Sequence, residues 1–357
     1  MKRIKLLRRL AFEKKGFDGF LIANEANILY FAGFPGAACL LFLKNGENIL
    51  YVYGVNYEQA KAEGDGFNVE LIKREENLMA KIAAKVKNSG VKKLAFDTLT
   101  SNDYRQLAKE LRGKAKIAFQ NKLVWMLRRV KDDEELALMR KAGELTCQGM
   151  KAAYEFIRPG IKEYQAAAEI EYSMRRNGSW GTAFETIVAS GPRSAFPHGG
   201  CTEREICEGD LVVVDMGASY RYYRSDMTRT FTAGKPSEKQ KKIYDIVKTA
   251  QDKALKAIRS GVKAKEIDAA ARKIIDEAGY SENFVHSLGH GVGLEIHEPP
   301  TLSQQSKDKL AVGNVLTVEP GIYLVGFGGI RIEDTVIVQK KGAEKLTSGW
   351  YALEIIN

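Results

Sequence analysis

All four histidines of this 357-residue chain, His198, His286, His290 and His297, fall between positions 198 and 297. The carboxylates Asp215, Asp226, Glu319 and Glu333 lie among or just beyond them. Each sits in a short segment rich in Gly, Pro and β-forming residues. If these groups act together, the second half of the chain has to fold so that distant strand ends and turns meet around one pocket. A divalent cation takes oxygen ligands with an occasional imidazole, and that donor set is present. The chain reads as a metallohydrolase.

A chain of this length is expected to form two domains. Hydrophobic residues make up 45% and charged residues 28%, an ordinary soluble globular mixture. No apolar run approaches the ~20 residues that span a bilayer. Met1 to Phe17 is basic and helical in pattern, with Ile4, Leu7, Leu10 and Ala11 as a core-facing stripe. Arg8 and Arg9 interrupt it and no small-residue cleavage site follows, so it is not read as a signal peptide. The formal net charge is +10, but Lys and Arg are interleaved with Asp and Glu along the helices. Neither nucleic acid nor membrane is expected as a partner. Cys39, Cys147, Cys201 and Cys207 form no CxxC pair, which suits a reducing cytoplasm. A zinc site at His198, Cys201 and Cys207 lacks a second close pair and is set aside.

The first ~120 residues alternate helices and strands. Helices are expected at 2–15, 55–63, 76–88 and 101–112. Strands are expected at 18–23, 38–43, 48–53, 67–72, 93–97 and 115–119, with Asn45-Gly46 as a hairpin turn. The pattern changes over 121–131, and the domains are drawn as 1–122 and 123–357. Asp132-Asp133-Glu134-Glu135 then opens a long helix, acidic where the helix dipole is positive, which ends at Pro159-Gly160. Helices at 162–177, 237–259 and 264–278 and strands up to 232 and over 314–338 complete the plan. Twice a helix pair leads into a hairpin that carries two carboxylates.

Leu211-Val212-Val213-Val214-Asp215 is a buried-strand run ending in an acid. A turn near Ala218-Ser219 would bring Asp226 alongside. Two carboxylates so close repel unless a cation lies between them or one is protonated; the alternative is a strand-end cap and a surface ion pair with Arg224 or Arg229. In His286-Ser-Leu-Gly-His290-Gly-Val-Gly-Leu-Glu-Ile-His297 the spacing imitates a zincin helix, but Ser287 stands where the base should be and three glycines oppose a helix. As an extended segment it would put His286, Leu288 and His290 on one face, with glycines letting backbone approach closely. Val315-Leu-Thr-Val-Glu319-Pro-Gly ends a strand in an acid. In Gly328-Gly-Ile-Arg331-Ile-Glu333-Asp334, Arg331 and Glu333 share a face, either inward with partners or as an ion pair on a half-exposed sheet. His198 sits at the tip of a Pro-Gly loop.

Together these segments resemble the pita-bread metallopeptidases of family M24, which include prolidase, aminopeptidase P and methionine aminopeptidase. The resemblance covers roughly 125–350. The α/β segment before it is similar to the creatinase/prolidase N-terminal domain, which points to the Xaa-Pro branch. The implied fold is that α/β domain followed by a pita-bread domain, an antiparallel curved sheet flanked by helices.

The resemblance implies two divalent ions, manganese or cobalt with zinc or iron as alternatives. Asp226 and Glu333 would bridge them, Asp215 would complete one, and His290 and Glu319 the other. It implies hydrolysis of the Xaa-Pro bond of dipeptides or short peptides by a hydroxide that the ions activate. Glu319 would move the proton, His297 would stabilise the oxyanion, and His198, His286, His297 and Arg331 would face the substrate. His198 is counted with Glu319 and His297 as catalytic. It also implies a homodimer. One departure matters: some relatives carry an Arg after the His297 position to meet a dipeptide carboxylate, and here the segment reads His297-Glu-Pro-Pro-Thr301. A broad aminopeptidase, metal-free creatinase-like chemistry, and a non-catalytic peptide- or protein-binding relative are the competing readings.

Overall fold

The structure, a computed structural model, describes residues 2–355. By contact density it divides between Arg128 and Arg129 into two compact units. No described helix is long and apolar enough to cross a membrane.

The first unit is built on a six-stranded mixed sheet. Its spatial order is Asn68–Ile72, Asn48–Tyr53, Cys39–Leu43, Gly19–Ile22, Lys93–Phe96, Lys116–Phe119. Cys39–Leu43 runs antiparallel to both neighbours and the remaining pairings are parallel. Gly46 takes φ +109° in the hairpin turn, as Asn45-Gly46 foretold. Helices Gly54–Glu63, Leu78–Asn88 and Ser101–Glu110 fall where the periodicity placed them. The N-terminal helix is α-helical over Lys2–Arg8 and widens to π geometry over Arg9–Lys14, with Ile4, Leu7 and Ala11 buried.

Two helices were not expected. Glu25–Ala32 is capped by the Asn24 side chain and stopped by Gly33 at φ +70°. Its buried residues Asn27, Ile28, Tyr30 and Phe31 leave no clean apolar stripe in the sequence. Asn121–Arg128 is the other.

The second unit combines two helix pairs with antiparallel sheets. Asp132 and Glu135 close a capping box on the helix Asp133–Phe156, and Ser237 and Gln240 do the same for Glu238–Ala257. Asp133–Phe156 and Glu163–Arg176 pack against Val212, Val214, Met227 and Phe231. Glu238–Ala257 and Ala264–Glu277 cover Leu316, Val318, Val336 and Ile330. Each such side chain contributes about 1.5–3 kcal/mol by leaving water. Strand residues two apart share a face, so burying Val212 and Val214 turns Asp215 the other way. In the same manner, burying Leu316 and Val318 turns Thr317 and Glu319 the other way.

Two local expectations fail. Ala218–Tyr220 is a strand, not a turn: it pairs with Tyr223–Arg224, and the reversal is at Arg221 (φ +45°) and Tyr222 (φ +72°). Positive φ at both central residues is the requirement of a type I′ turn, here met by non-glycine residues that give no sequence signal. His286, Leu288 and His290 do not share a face. Only Gly289–Gly291 is strand, its register shifts there, and Leu288 is fully buried in the core while the two histidines line a cavity.

Candidate metal centre

A cavity of about 970 Å³ in the second unit is lined by every residue that the sequence singled out: Asp215, Asp226, His290, Glu319 and Glu333, with His198, His286, His297 and Arg331. Antiparallel pairing sets Asp215 beside Thr228 and Ile187. Asp226 immediately precedes the strand Met227–Thr232. Glu319 follows Val315–Val318, and Glu333 precedes Asp334–Val338, its antiparallel partner. His290 sits on Gly289–Gly291, which lies between two other strands. An ideal Cβ on Gly289 would lie 2.1 Å from the Thr317 carbonyl oxygen, and one on Gly291 2.5 Å from that of Glu298. The glycines flanking His290 are therefore there for close approach of neighbouring strands.

His290 Nε2 is 3.3 Å from Glu319 Oε1 and 3.7 Å from Asp226 Oδ2. Donor atoms of Asp226, His290 and Glu333 all lie within 4.8 Å of one another. The His290 Nδ1–H donates to the Gly291 carbonyl at 3.1 Å, which leaves the Nε2 lone pair facing the carboxylates. Thr228 Oγ1 donates to Glu333 Oε2 at 2.6 Å, and Thr317 Oγ1 to Glu319 Oε1 at 3.0 Å.

Asp215 Oδ1, Asp226 Oδ1 and Glu333 Oε1 are buried and meet no donor among the described residues. Burial, then the charges of Glu333, Asp215 and Glu319, pushes the Asp226 carboxyl well above the usual range. Burial, then Glu319 and Asp215, does the same to Glu333, and burial raises Glu319. Buried carboxylates with orphaned oxygens are costly unless a cation compensates them. The donor set therefore fits divalent metal, oxygen-rich with a single imidazole.

Arg331 is buried and spoken for. Its Nη2 meets Asp215 Oδ2 at 2.6 Å, Nε meets Thr228 Oγ1 at 3.1 Å, and Nη1 meets the Tyr323 hydroxyl at 2.9 Å. The ion pair is thus inward, with Asp215, and not on a half-exposed sheet. Tyr323 was not foreseen. Its hydroxyl also lies 2.9 Å from His286 Nε2, and His286 Nδ1 lies 2.8 Å from the Ser287 carbonyl. Nδ1 must carry the ring proton to meet a carbonyl, so in the neutral ring Nε2 accepts from Tyr323. Burial depresses His286 and His290, holding them neutral, and raises the Tyr323 phenol to about 12. His198 and His297 are the exposed members of the set. The His297 ring stands edge-on to His290, centroids 4.4 Å apart, and burial lowers its pKa. Thr317 was legible in principle, as the polar residue sharing a face with Glu319. Tyr323 stands in an apolar hairpin and gives no such signal.

Known proteins bear on this site. Residues 137–340 match the model of metallopeptidase family M24, and residues 3–130 that of the creatinase/prolidase N-terminal domain. The chain is 42% identical over 339 residues, 94% of each chain, to a Xaa-Pro dipeptidase of Pyrococcus horikoshii. It is similar to the solved Xaa-Pro dipeptidase of Bacillus anthracis, with TM-score 0.93, 39% identity and 99% of each chain covered. An X-Pro aminopeptidase structure from Thermotoga maritima matches with TM-score 0.86 and 37% identity over 95% of this chain and 98% of that one. A creatinase/prolidase N-terminal domain ahead of a helix-flanked antiparallel domain, with a buried cluster of carboxylates and one imidazole, places the chain in metallopeptidase family M24, a family of divalent-metal hydrolases.

Proposed function

We propose that this protein is a metal-dependent exopeptidase that hydrolyses the Xaa-Pro bond at the N-terminus of dipeptides or short peptides. The observation that carries the reading is the set of orphaned, buried carboxylate oxygens on Asp215, Asp226 and Glu333, gathered with His290 in one cavity. The names of the relatives supply the substrate class.

Asp215, Asp226, His290, Glu319 and Glu333 are the residues that would hold two divalent ions, manganese or cobalt. When bound, such a pair supplies a nucleophile near neutral pH and polarises the scissile carbonyl. Glu319 takes the nucleophile's proton and passes it to the leaving nitrogen. His297 and His198, exposed at the cavity wall, donate to the developing oxyanion and position the peptide. His286 has both ring nitrogens engaged, so its part is to shape the wall. Arg331 orients Asp215.

A second reading, cleavage of longer peptides, has one observation in its favour. Among the described residues lining the cavity, the sole Lys or Arg is Arg331, and it is engaged by Asp215, Thr228 and Tyr323. A dipeptide's carboxylate finds no unengaged guanidinium or ammonium there, and Thr301 supplies only a hydroxyl. Four free cysteines suit a reducing compartment, and we place the protein in the cytoplasm as a homodimer.

The test compares Ala-Pro, Ala-Pro-Ala and Ala-Ala-Ala with added Mn or Co, then with chelator. Cleavage of the proline peptides that chelator abolishes supports the proposal. Equal turnover of Ala-Ala-Ala contradicts the proline preference, and chelator-insensitive cleavage contradicts the metal.

A further inference from the structure

Outside the cavity lining lies a second buried charge cluster that the chemistry above does not use. Arg229 and Asp334 are both fully buried and paired at 2.8 Å. A buried ion pair returns little net stability, because desolvating two charges offsets their attraction. Some other role explains it better, and its contacts show which.

Arg229 spends its guanidinium on backbone. Nη1 donates to the carbonyls of Thr228 at 2.8 Å and Glu333 at 2.6 Å, and Nε donates to that of Gly349 at 2.7 Å. Thr228 and Glu333 are the residues whose side chains meet in the metal centre, and the Glu333 amide also donates to the Thr228 carbonyl at 3.0 Å. One guanidinium nitrogen therefore straddles the two main chains whose separation decides where the Glu333 carboxylate points.

Asp334 holds that guanidinium. It accepts from Arg229, Thr347, Gln251, Lys345 and the Tyr351 hydroxyl. The next residue, Thr335, clasps the other carboxylate strand: its hydroxyl donates to the Asp226 carbonyl at 2.7 Å and accepts from the Asp226 amide at 3.2 Å. The Tyr351 ring lies 4.3 Å from Arg229 Cζ, an attractive cation–π geometry. Its hydroxyl accepts from Lys345 at 2.6 Å while donating to Asp334 at 2.8 Å.

We propose that Arg229 and Asp334, steadied by Tyr351, are positioning residues of the metal centre: they fix the main chain of Glu333 against that of Thr228 so that the Glu333 carboxylate faces the cations, next to the strand whose Thr335 holds Asp226. This rests on the reading that those carboxylates bind metal. None of the three touches substrate, so the effect of changing them is expected first in metal affinity.

The experiment titrates the chelator-stripped full-length protein with Mn²⁺ alone, by calorimetry, in the parent, Asp334→Asn and Tyr351→Phe. In parallel, peptide turnover is followed against Mn²⁺ concentration. Asp334→Asn is expected to raise the Mn²⁺ Kd about 10- to 100-fold, and the Mn²⁺ concentration for half-maximal rate by the same factor, with peptide KM little changed. A parent-like Kd accompanied only by a lower melting temperature would make the cluster a structural brace and overturn the proposal. Tyr351→Phe keeps both charges and carries the test should Asp334→Asn not fold: a raised Kd supports the proposal and a parent Kd overturns it. Calorimetry needs no peptide, so the two readings separate. A parent that binds Mn²⁺ without cleaving Xaa-Pro peptides sinks only the substrate assignment, and one that binds no Mn²⁺ sinks both.

Discussion

Thr228 Oγ1 donates to one oxygen of Glu333 at 2.6 Å, while the other oxygen of the same carboxylate is buried without a donor. One half of Glu333 is thus held in place and the other half is left without a protein donor, at the wall of the cavity. Asp215 shows the same division, with Oδ2 on Arg331 at 2.6 Å and Oδ1 without a partner. This is the pattern of carboxylates oriented by the protein toward a cation.

Asp226→Asn is expected to abolish metal-dependent hydrolysis while the fold survives. Losing a ligand forfeits several kcal/mol of transition-state stabilisation, on the order of a thousand-fold in rate. The variant also removes a buried charge that its neighbours repel, so its metal-free melting temperature should equal or exceed the parent's. Turnover of Ala-Pro at the parent's rate would refute the assignment, as would a collapsed circular-dichroism spectrum.

The carboxyls of Asp226, Glu333 and Glu319 are raised by burial and mutual repulsion in the metal-free protein. A group whose folded pKa exceeds its unfolded value favours the fold below the unfolded pKa, and loses that contribution as pH rises through the folded one. For these groups the loss starts near the ordinary carboxylate values of 3.8 and 4.5 and continues upward. Metal reverses it by neutralising the charges and displacing protons. The gain in melting temperature on adding Mn should therefore be larger at pH 8 than at pH 5. A larger gain at pH 5 would show that these carboxylates do not bind the metal.

Gly289→Ala places a Cβ 2.1 Å from the Thr317 carbonyl oxygen, a backbone atom that cannot swing aside. The strand that carries His290 must shift, at about 1–3 kcal/mol by the usual cost of overpacking. Denaturant titration reads the loss, and an unchanged midpoint would mean that the strands are not packed as described.

Tyr323→Phe removes the hydroxyl that His286 and Arg331 share. kcat/KM should fall about 10-fold or more, as for other residues that orient metal ligands, with two ions per chain retained. A parent-like kcat/KM would show that the tyrosine orients nothing that matters to the reaction.

Much of this site was readable along the chain because of how strands work. An acid closing an apolar run, as at Asp215 and Glu319, turns opposite to its buried neighbours, so its facing follows from period two alone. The glycines around His290 announced close approach, though not that the approaching groups were the Thr317 and Glu298 carbonyls. Pairings across long separations were silent. Nothing in the spacing ties Arg331 to Asp215, or Arg229 to the carbonyl of Glu333, because these contacts depend on how sheets and turns assemble. The turn at Arg221-Tyr222 was hidden because its residues are not those that favour positive φ. The helix Glu25–Ala32 was hidden because Ile28 to Phe31 are apolar without a break and a polar residue, Asn27, is buried with them, so no stripe stands out.

If Asp215, Asp226, His290, Glu319 and Glu333 together hold two divalent ions, the ions can be counted. Parent and Asp226→Asn proteins are stripped with chelator, equilibrated with excess Mn²⁺, freed of unbound ion and assayed for metal per chain. Two per chain are expected in the parent and a clear deficit in the variant. A parent that retains none, or a variant that retains as many as the parent, would contradict a two-ion centre held by these five residues.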